Sequence, residues 1–401
     1  MSLIVQKFGG SSVADTERIV NVASIIADTY RAGNEVVVVL SAQGDTTDDL
    51  IEKAAQISDA PSRREMDMLL ATGEQISISL MAMALQKMGL PVISLTGWQV
   101  GMETDSNYSD ARIKNVKGGR IREELDKNKI VIVAGFQGIN KYEDITTLGR
   151  GGSDTTAVAL AASLKADLCQ IYTDVDGVYT ADPRIVPGAV KLDEITYDEM
   201  LELASLGANV LHNRSVEMAK RYNVNLEVVS SFTRRPGTKV REGSSVEKMQ
   251  VSGVARDLNV AMIALIGLDD MPGVAFKIFS VLAQRKINVD IILQSIGRSG
   301  TKDISFTIAK SNLPAAVEIL NENQQRLGFR ELHVNDQLVK VSIVGAGMIN
   351  NPGVAAGMFE ALANSGINIQ MISTSEIKVS VLLDIKEADR AVVAIHEKFF
   401  S

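Results

Sequence analysis

The sequence predicts an α/β protein: an N-terminal domain built on a mainly parallel sheet between helix layers, followed by two ferredoxin-like βαββαβ units. Three observations predict it. Over roughly the first 245 residues, short β-branched runs alternate with helix-like stretches. A stretch rich in Pro, Gly, Ser and charge, RRPGTKVREGSSVEK, then breaks the pattern. Beyond it MPGVAFKIFSVLAQRKINVDIILQS (271–295) aligns with NPGVAAGMFEALANSGINIQMISTS (351–375) at a constant offset of 80, with eleven of twenty-five positions identical.

The first element, LIV, is short and apolar, as a buried strand is. The turn KFGGSS follows, and then the helix-spaced ADTERIVNVASIIADTYR. EVVVVLSA, LPVISLT, KIVIVAGF, DLCQIYTDV and LEVVSS read as further strands; DDLIEKAAQIS, TTAVALAASL and TYDEMLELASLG read as helices. MLLATGEQISISLMAMALQKMG (68–89) is apolar almost all round, which implies a buried helix. In the C-terminal part each repeat copy follows a strand (NVAMIALIGL, VKVSIVGAG). Each precedes another (DISFTIAK, IKVSVLLDI) and then a helix (LPAAVEILNENQQRLG, EADRAVVAIHEKFF). That order is the core of a ferredoxin-like unit. The second copy ends on its helix, so its last strand must come from elsewhere, and MQVSGVA (249–255) is a candidate.

Composition narrows the function. The chain has 401 residues, 46% hydrophobic and 22% charged, enough for two or three globular domains. No apolar run approaches the roughly 20 residues of a membrane span, and MSLIVQKF lacks a signal-peptide core, so the expectation is a cytoplasmic protein without membrane contact. The single Cys169 excludes an internal disulfide and reads as an inert buried thiol. His212, His333 and His396 are far apart, and neither H-E-x-x-H nor C-x-x-C occurs, which argues against a structural zinc. A net charge of −8 and 4% aromatics argue against nucleic-acid binding. IVGAGMIN resembles the start of a dinucleotide fingerprint, but Asn350 stands where the third glycine belongs and Gln370 where the ribose-binding acid would be sought.

Ligands of parallel sheets bind at strand carboxyl ends, and the polar motifs lie there. Lys7 precedes Gly9, Gly10 and Ser11, the reverse of a Walker loop; glycines and helix amides there suit a phosphate. SAQGDTTDDL offers Ser41, Asp45 and Thr47, which alone would be a polar loop and helix cap. Arg150, Gly151, Gly152 and Ser153 form a second glycine turn suited to a carboxylate or phosphate, with Ser153 or Asp154 as alternative helix caps. In YTDVDGVYTADPR, Asp174 and Asp176 follow a strand; D-G and D-P also make plain turns. Glu74 is an acid in an apolar helix and needs a cation, either a substrate ammonium or an unseen Lys or Arg.

VQKFGGSSV, SAQGDTTDDL, TLGRGGSDTTA and YTDVDGVYTADPR, in this order, resemble the aspartate kinases of the amino acid kinase superfamily, and the paired repeats resemble ACT domains, which bind amino-acid effectors. The resemblance covers essentially the whole chain. It implies an amino acid kinase fold over 1–245, a linker and strand for the second ACT domain at 246–258, and ACT domains at 259–336 and 337–401. It implies ATP, with magnesium carried on its phosphates and no protein metal site, and L-aspartate as acceptor of the γ-phosphoryl group, giving β-aspartyl phosphate on the way to lysine, threonine and methionine. By the same resemblance Lys7 holds the transferring phosphoryl group and Asp174 orients the machinery. Gly9, Gly10, Ser11, Thr173, Tyr179, Asp182 and Arg184 contact the nucleotide, while Ser41, Thr47, Glu74, Arg150, Gly151, Gly152 and Ser153 bind aspartate. Some members carry a second active-site lysine; the corresponding SSFTRRPGTKV offers Arg234, Arg235 and Lys239. Lysine, threonine or both are the implied effectors, held by Asp270, Gly273, Asn288 and Gln294 and, in the second copy, Asn351 and Asn368. The implied assembly is a homo-oligomer through the ACT domains, with a separate regulatory subunit started at Met249 as a variant. Two other readings stay open here: a kinase of glutamate or acetylglutamate, and a non-catalytic amino-acid sensor.

Overall fold

The structure is a computed structural model that describes residues 1–206, 210–243, 251–295 and 300–400, apart from the side chains of residues 349 and 350. Residues 246–250, the start of the 246–258 linker and including Met249, lie outside the described residues. The described chain divides into two units: the first holds Met1–Tyr179, Val190–Ser205 and residues 210–243, the second Thr180–Ala189 and the residues from 251 onward.

In chain order the first unit contains β1 (Leu3–Phe8), α1 (Thr16–Arg31), β2 (Glu35–Leu40), α2 (Thr46–Ala55), α3 (Arg63–Leu70), α4 (Thr72–Lys87), β3 (Val92–Leu95), β4 (Met102–Thr104), β5 (Ile113–Val116), α5 (Gly119–Leu125), β6 (Ile130–Ala134), β7 (Gln137–Ile139) and β8 (Ile145–Thr147). It continues with α6 (Gly152–Leu164), β9 (Leu168–Thr173), β10 (Glu194–Thr196), α7 (Tyr197–Ser205), α8 (Asn213–Tyr222), β11 (Leu226–Ser230) and β12 (Thr238–Arg241). Its main sheet has the order β10-β12-β11-β9-β1-β2-β6-β3. All neighbours are parallel except β11 and β12. The central strands are buried on both faces, and their near-continuous β-branched runs follow from that. Parallel neighbours leave the ends of β1, β2, β6, β9 and β11 together at one edge, with Phe8 beside both Leu40 and Tyr172.

On one face α1 and α4 pack on the sheet through Ile26, Ile78, Met81 and Leu85. On the other lies α6, whose Ala- and Thr-rich sequence lets it sit close; residues 152–161 are all buried. A second small sheet has the order β5-β4-β7-β8, and no periodicity in its short strands announces it. The helix at 68–89 differs from its expectation of full burial. Arg63–Lys87 is long and apolar enough to cross a membrane by length and composition, with a mean hydropathy of 1.4, yet one side of it packs in the core while Ile76, Leu80 and Met83 are exposed.

The second unit contains β13 (Gly253–Asp257), β14 (Ala261–Asp269), α9 (Val274–Gln284), β15 (Val289–Gln294), β16 (Thr301–Ile308), α10 (Leu313–Glu322), α11 (Gln324–Leu327), β17 (Glu331–Asn335), β18 (Leu338–Val344), α12 (Val354–Asn364), β19 (Met371–Thr374), β20 (Lys378–Asp384) and α13 (Ala388–Phe400). The first repeat forms a complete βαββαβ unit with the sheet β15-β16-β14-β17. The second uses the sheet β13-β18-β20-β19, so its missing strand is β13, paired antiparallel to β18 from Gly253–Val344 to Asp257–Lys340. The first repeat is thus inserted within the second. Thr180–Ala189 also joins this unit: Ala181 and Val186 pack with Val341, Val381 and Ile395. Residues 345–350, with their dinucleotide-like glycines, form a short turn after β18.

Candidate active site

Backbone contacts draw the strand ends together. Gly9 N–H donates to the Tyr172 carbonyl at 3.4 Å, Gly44 N–H to Gly10 at 3.1 Å, and Gly135 N–H to Leu40 at 3.0 Å. A side chain at Gly10 would lie 2.7 Å from the Ala42 carbonyl, so glycine is needed for the first turn to meet the loop after β2. Ser41 is half-buried in that loop, Thr47 is half-buried in the first turn of α2, and Ser11 is exposed.

Lys7 turns its ammonium to Asp154 at 2.7 Å, and both side chains are mostly buried. The sequence alone presents Asp154 only as one of two alternative helix caps. The α6 N-cap is instead Gly151, in the left-handed region at φ 64°, and no side chain caps that end. An acid in the first turn of an otherwise small and apolar helix was the available signal.

Glu74 lies in the first turn of α4 and is 3% exposed. Its Oε1 accepts the Ala42 N–H at 3.0 Å; its Oε2 is buried without a hydrogen-bond partner. Among the described residues no Lys or Arg pairs with it. Burial pushes its carboxyl up to about 7, against the opposing pull of the Ala42 amide.

The second glycine turn joins β8 to α6. Arg150 is exposed at its lip, without an ion pair among the described residues, and Ser153 is buried behind it. Two residues that sequence reasoning passed over shape the turn. Arg214 donates to the carbonyls of Leu148 at 2.5 Å and Ala111 at 2.9 Å, and the His212 ring lies so close to Gly151 that an added Cβ would come within 2.2 Å of it. Burial holds His212 below the usual histidine range. Phe136, after β6, takes φ 67°, rare for a bulky residue, and a Cβ on Gly152 would meet its ring at 2.8 Å.

At the end of β9, Asp174 is exposed and accepts from Thr173 Oγ1 at 3.0 Å, and Tyr179 donates to Asp176 at 2.7 Å. Asp182 and Arg184 belong to the second unit, where they pair with each other at 2.7 Å. Of the three cations in SSFTRRPGTKV, Arg234 is engaged by Asp28 and Ser24, and Lys239 is exposed on β12. Arg235 is exposed, and its charge acts on the Tyr179 hydroxyl. Among the described residues no three His, Cys, Asp or Glu side chains converge on a metal position.

In the second unit Gly273 and Gly353 both take the left-handed conformation, at φ 91° and 102°, to start α9 and α12. Asp270, before the first of these turns, faces Lys302 at 3.1 Å. Asn288 and Gln294 are exposed at the two ends of β15. Asn368 is exposed, and Asn351 donates to the Gly347 carbonyl at 2.7 Å.

Two glycine turns at the strand ends of one parallel sheet, in a chain that also carries paired ferredoxin-like units, are the architecture of a small-molecule kinase with a regulatory half. Residues 2–230 match the amino acid kinase family, and residues 263–324 and 341–399 match the ACT domain. The whole chain is 53% identical to the aspartokinase of Mycolicibacterium smegmatis, covering 96% of it, and 53% identical to that of Geobacillus stearothermophilus, covering 97%. Among solved structures it is similar over its full length to Escherichia coli aspartokinase III in complex with aspartate and ADP (R-state), at 27% identity, full coverage of that chain and a TM-score of 0.84. It is also similar to the same enzyme in complex with lysine and aspartate (T-state), at 25% identity, full coverage of both chains and a TM-score of 0.77. The chain belongs to the aspartokinase family and is an aspartate kinase.

Proposed function

We propose that the chain transfers the γ-phosphoryl group of ATP to the side-chain carboxylate of L-aspartate, releasing ADP and β-aspartyl phosphate, the first step towards lysine, threonine and methionine. The observation that carries this reading is Glu74: a buried carboxylate with one unpartnered oxygen and, among the described residues, no cation beside it suits an amino acid's ammonium group. Arg150 offers a guanidinium to a substrate carboxylate, with Ser41, Thr47, Gly151, Gly152 and Ser153 around it. The attacking oxygen is already a carboxylate, so the site needs positioning and positive charge more than a base. Lys7, aimed by Asp154, stabilises the charge spreading onto the phosphoryl oxygens. Gly9, Gly10, Ser11, Thr173, Asp174 and Tyr179 serve the nucleotide, and Arg235 is the available second cation; Asp182 and Arg184, in the second unit, pair with each other. Magnesium would come as part of the MgATP substrate and offset part of the phosphate charge, leaving the rest to Lys7 and the turn amides.

Lysine, threonine or the pair act as feedback effectors at Asp270, Gly273, Asn288 and Gln294, with Asn351 and Asn368 at the matching places of the second copy. The exposed strands β15 and β19, which present Ile292, Leu293 and Ile372, support assembly of the chain with itself through its ACT domains. The reaction and the buried thiol of Cys169 suit the cytoplasm. An ATP-dependent aspartyl-hydroxamate assay tests the reading, repeated with lysine, threonine and both. Hydroxamate formation with aspartate, absent with glutamate and acetylglutamate, is expected. Turnover with either of those in place of aspartate would overturn the substrate, and failure of both effectors to inhibit would overturn the control.

A further inference from the structure

Asp67 is fully buried in α3, and among the described residues no Lys or Arg lies within ion-pair distance of it. Its charge is met by directed donors alone. The Ser109 amide donates to both of its oxygens at 3.0 Å and the Ser109 hydroxyl to Oδ1 at 3.3 Å. The Thr147 amide donates to Oδ2 at 2.8 Å and the Thr147 hydroxyl to Oδ1 at 2.8 Å. A buried carboxylate held in this way tolerates little movement of its donors, because any lost bond leaves a desolvated anion.

Both donor residues adjoin the substrate turn. Thr147 ends β8, three residues before Arg150. Ser109 sits at φ 71°, an uncommon place for serine, and a Cβ on Gly149 would come within 3.2 Å of its carbonyl. On the other side α3 runs into α4 through Ala71, whose carbonyl accepts from Gln137 at 2.9 Å. Glu74 follows Asp67 by seven residues, about two helical turns on the same face.

We propose that Asp67 is a positioning residue for the amino-acid substrate: through Thr147 and Ser109 it fixes the turn bearing Arg150 at a set distance from Glu74 on the same helical stretch. The helix then acts as a ruler between the group that meets the substrate ammonium and the group that meets its carboxylate. Such a ruler favours a four-carbon over a five-carbon amino diacid. The inference rests on the aspartate kinase reading of Glu74 and Arg150. An acid that merely closed the core would change stability and leave the two substrates equally affected.

The test uses the full chain with Asp67→Asn and, separately, Thr147→Val. Michaelis constants for aspartate and ATP, the glutamate-to-aspartate activity ratio and thermal melting are measured on the same preparations. Asp67→Asn should raise the aspartate constant at least about tenfold, with the ATP constant within about twofold, since small misplacements of a positioning group carry large penalties. Thr147→Val removes one of the donors and should raise the aspartate constant about threefold with the same split; both variants should raise the glutamate-to-aspartate ratio. A folded Asp67→Asn protein whose two constants are unchanged, or rise together, overturns the proposal. Should that variant not fold, an unchanged aspartate constant in Thr147→Val overturns it. If the parent enzyme acts on another acid and not on aspartate, the substrate reading fails, while the split between that acid and ATP still decides the role of Asp67.

Discussion

Aspartate recognition should depend on pH through Glu74. Burial raises its carboxyl from 4.5 to about 7, and at about 1.36 kcal/mol per unit the cost of ionising it in the empty site is about 3 kcal/mol. A substrate ammonium beside Oε2 would offset that cost, but only for the ionised form. At pH 6 about one-tenth of the sites would be ionised, so the aspartate Michaelis constant should stand about tenfold above its value at pH 8. The ATP constant should stay flat. Aspartate binding below pH 7 should release about one proton. Stability of the substrate-free enzyme moves in the opposite sense: between pH 4.5 and about 7 the native chain keeps a proton that the unfolded chain has lost. Glu74 therefore makes stability fall by about 3 kcal/mol across that window as pH rises. Glu74→Gln should abolish the pH slope and raise the aspartate constant at pH 8 by roughly 2–5 kcal/mol, or about thirtyfold and more. Initial rates of hydroxamate formation at pH 6, 7 and 8, with each substrate varied in turn, give both constants. An aspartate constant flat over that range, or an ATP constant that follows it, would refute the role.

Lys7→Ala should leave a folded protein with turnover reduced at least about a hundredfold, the loss of about 3 kcal/mol of transition-state stabilisation; near-normal turnover by initial rate would exclude Lys7 from catalysis. Lys340 is buried between Asp290, at 2.5 Å, and Asp257, at 3.5 Å. Because Asp290 is half exposed, Lys340→Ala should cost about 2 kcal/mol, less than a fully buried pair, read as a lower melting temperature with basal turnover kept. Asp270→Ala or Gln294→Ala should relieve inhibition by lysine or threonine, weakening a coupling of about 1–3 kcal/mol, with uninhibited rates nearly unchanged. Inhibition curves that overlay the parent's would remove both from the effector site.

The alternation of strands and helices, the strand-end location of the motifs and the duplicated C-terminal half were legible because each has a local signature. Lys7, Glu74 and Arg150 stood out as charges set against glycine or apolar surroundings. Asp154 did not, because a capping acid and a lysine partner look alike until the sheet brings β1 beside α6. Phe136 and Arg214 were silent for another reason: one acts through a backbone angle, the other through carbonyls distant in sequence. The strands β4, β5, β7 and β8, of three or four residues each, are too short for periodicity to register. That Asp182 and Arg184 lie in the second unit could not be seen from a motif that runs unbroken through Tyr179.

The insertion of the first repeat into the second sets an order of events on the ribosome. β13 is made first, ends at Asp257, and must wait for β18, which starts at Leu338. At about 5–20 residues per second that wait is roughly 4–16 s. Meanwhile β14 to β17 hold everything needed to close the first repeat, so it can fold as a finished bead on an unfinished string. The waiting strand presents Val254 with bare hydrogen-bonding groups, the kind of edge that captures stray chains. Relief comes only when β18 and β20 emerge, and the core they build is sealed by Ala391, Val392 and Ile395 of α13, near the very end of the chain. Without α13 that core would stay open, with Val339, Val341 and Val381 uncovered on the side where Ala391, Val392 and Ile395 now pack.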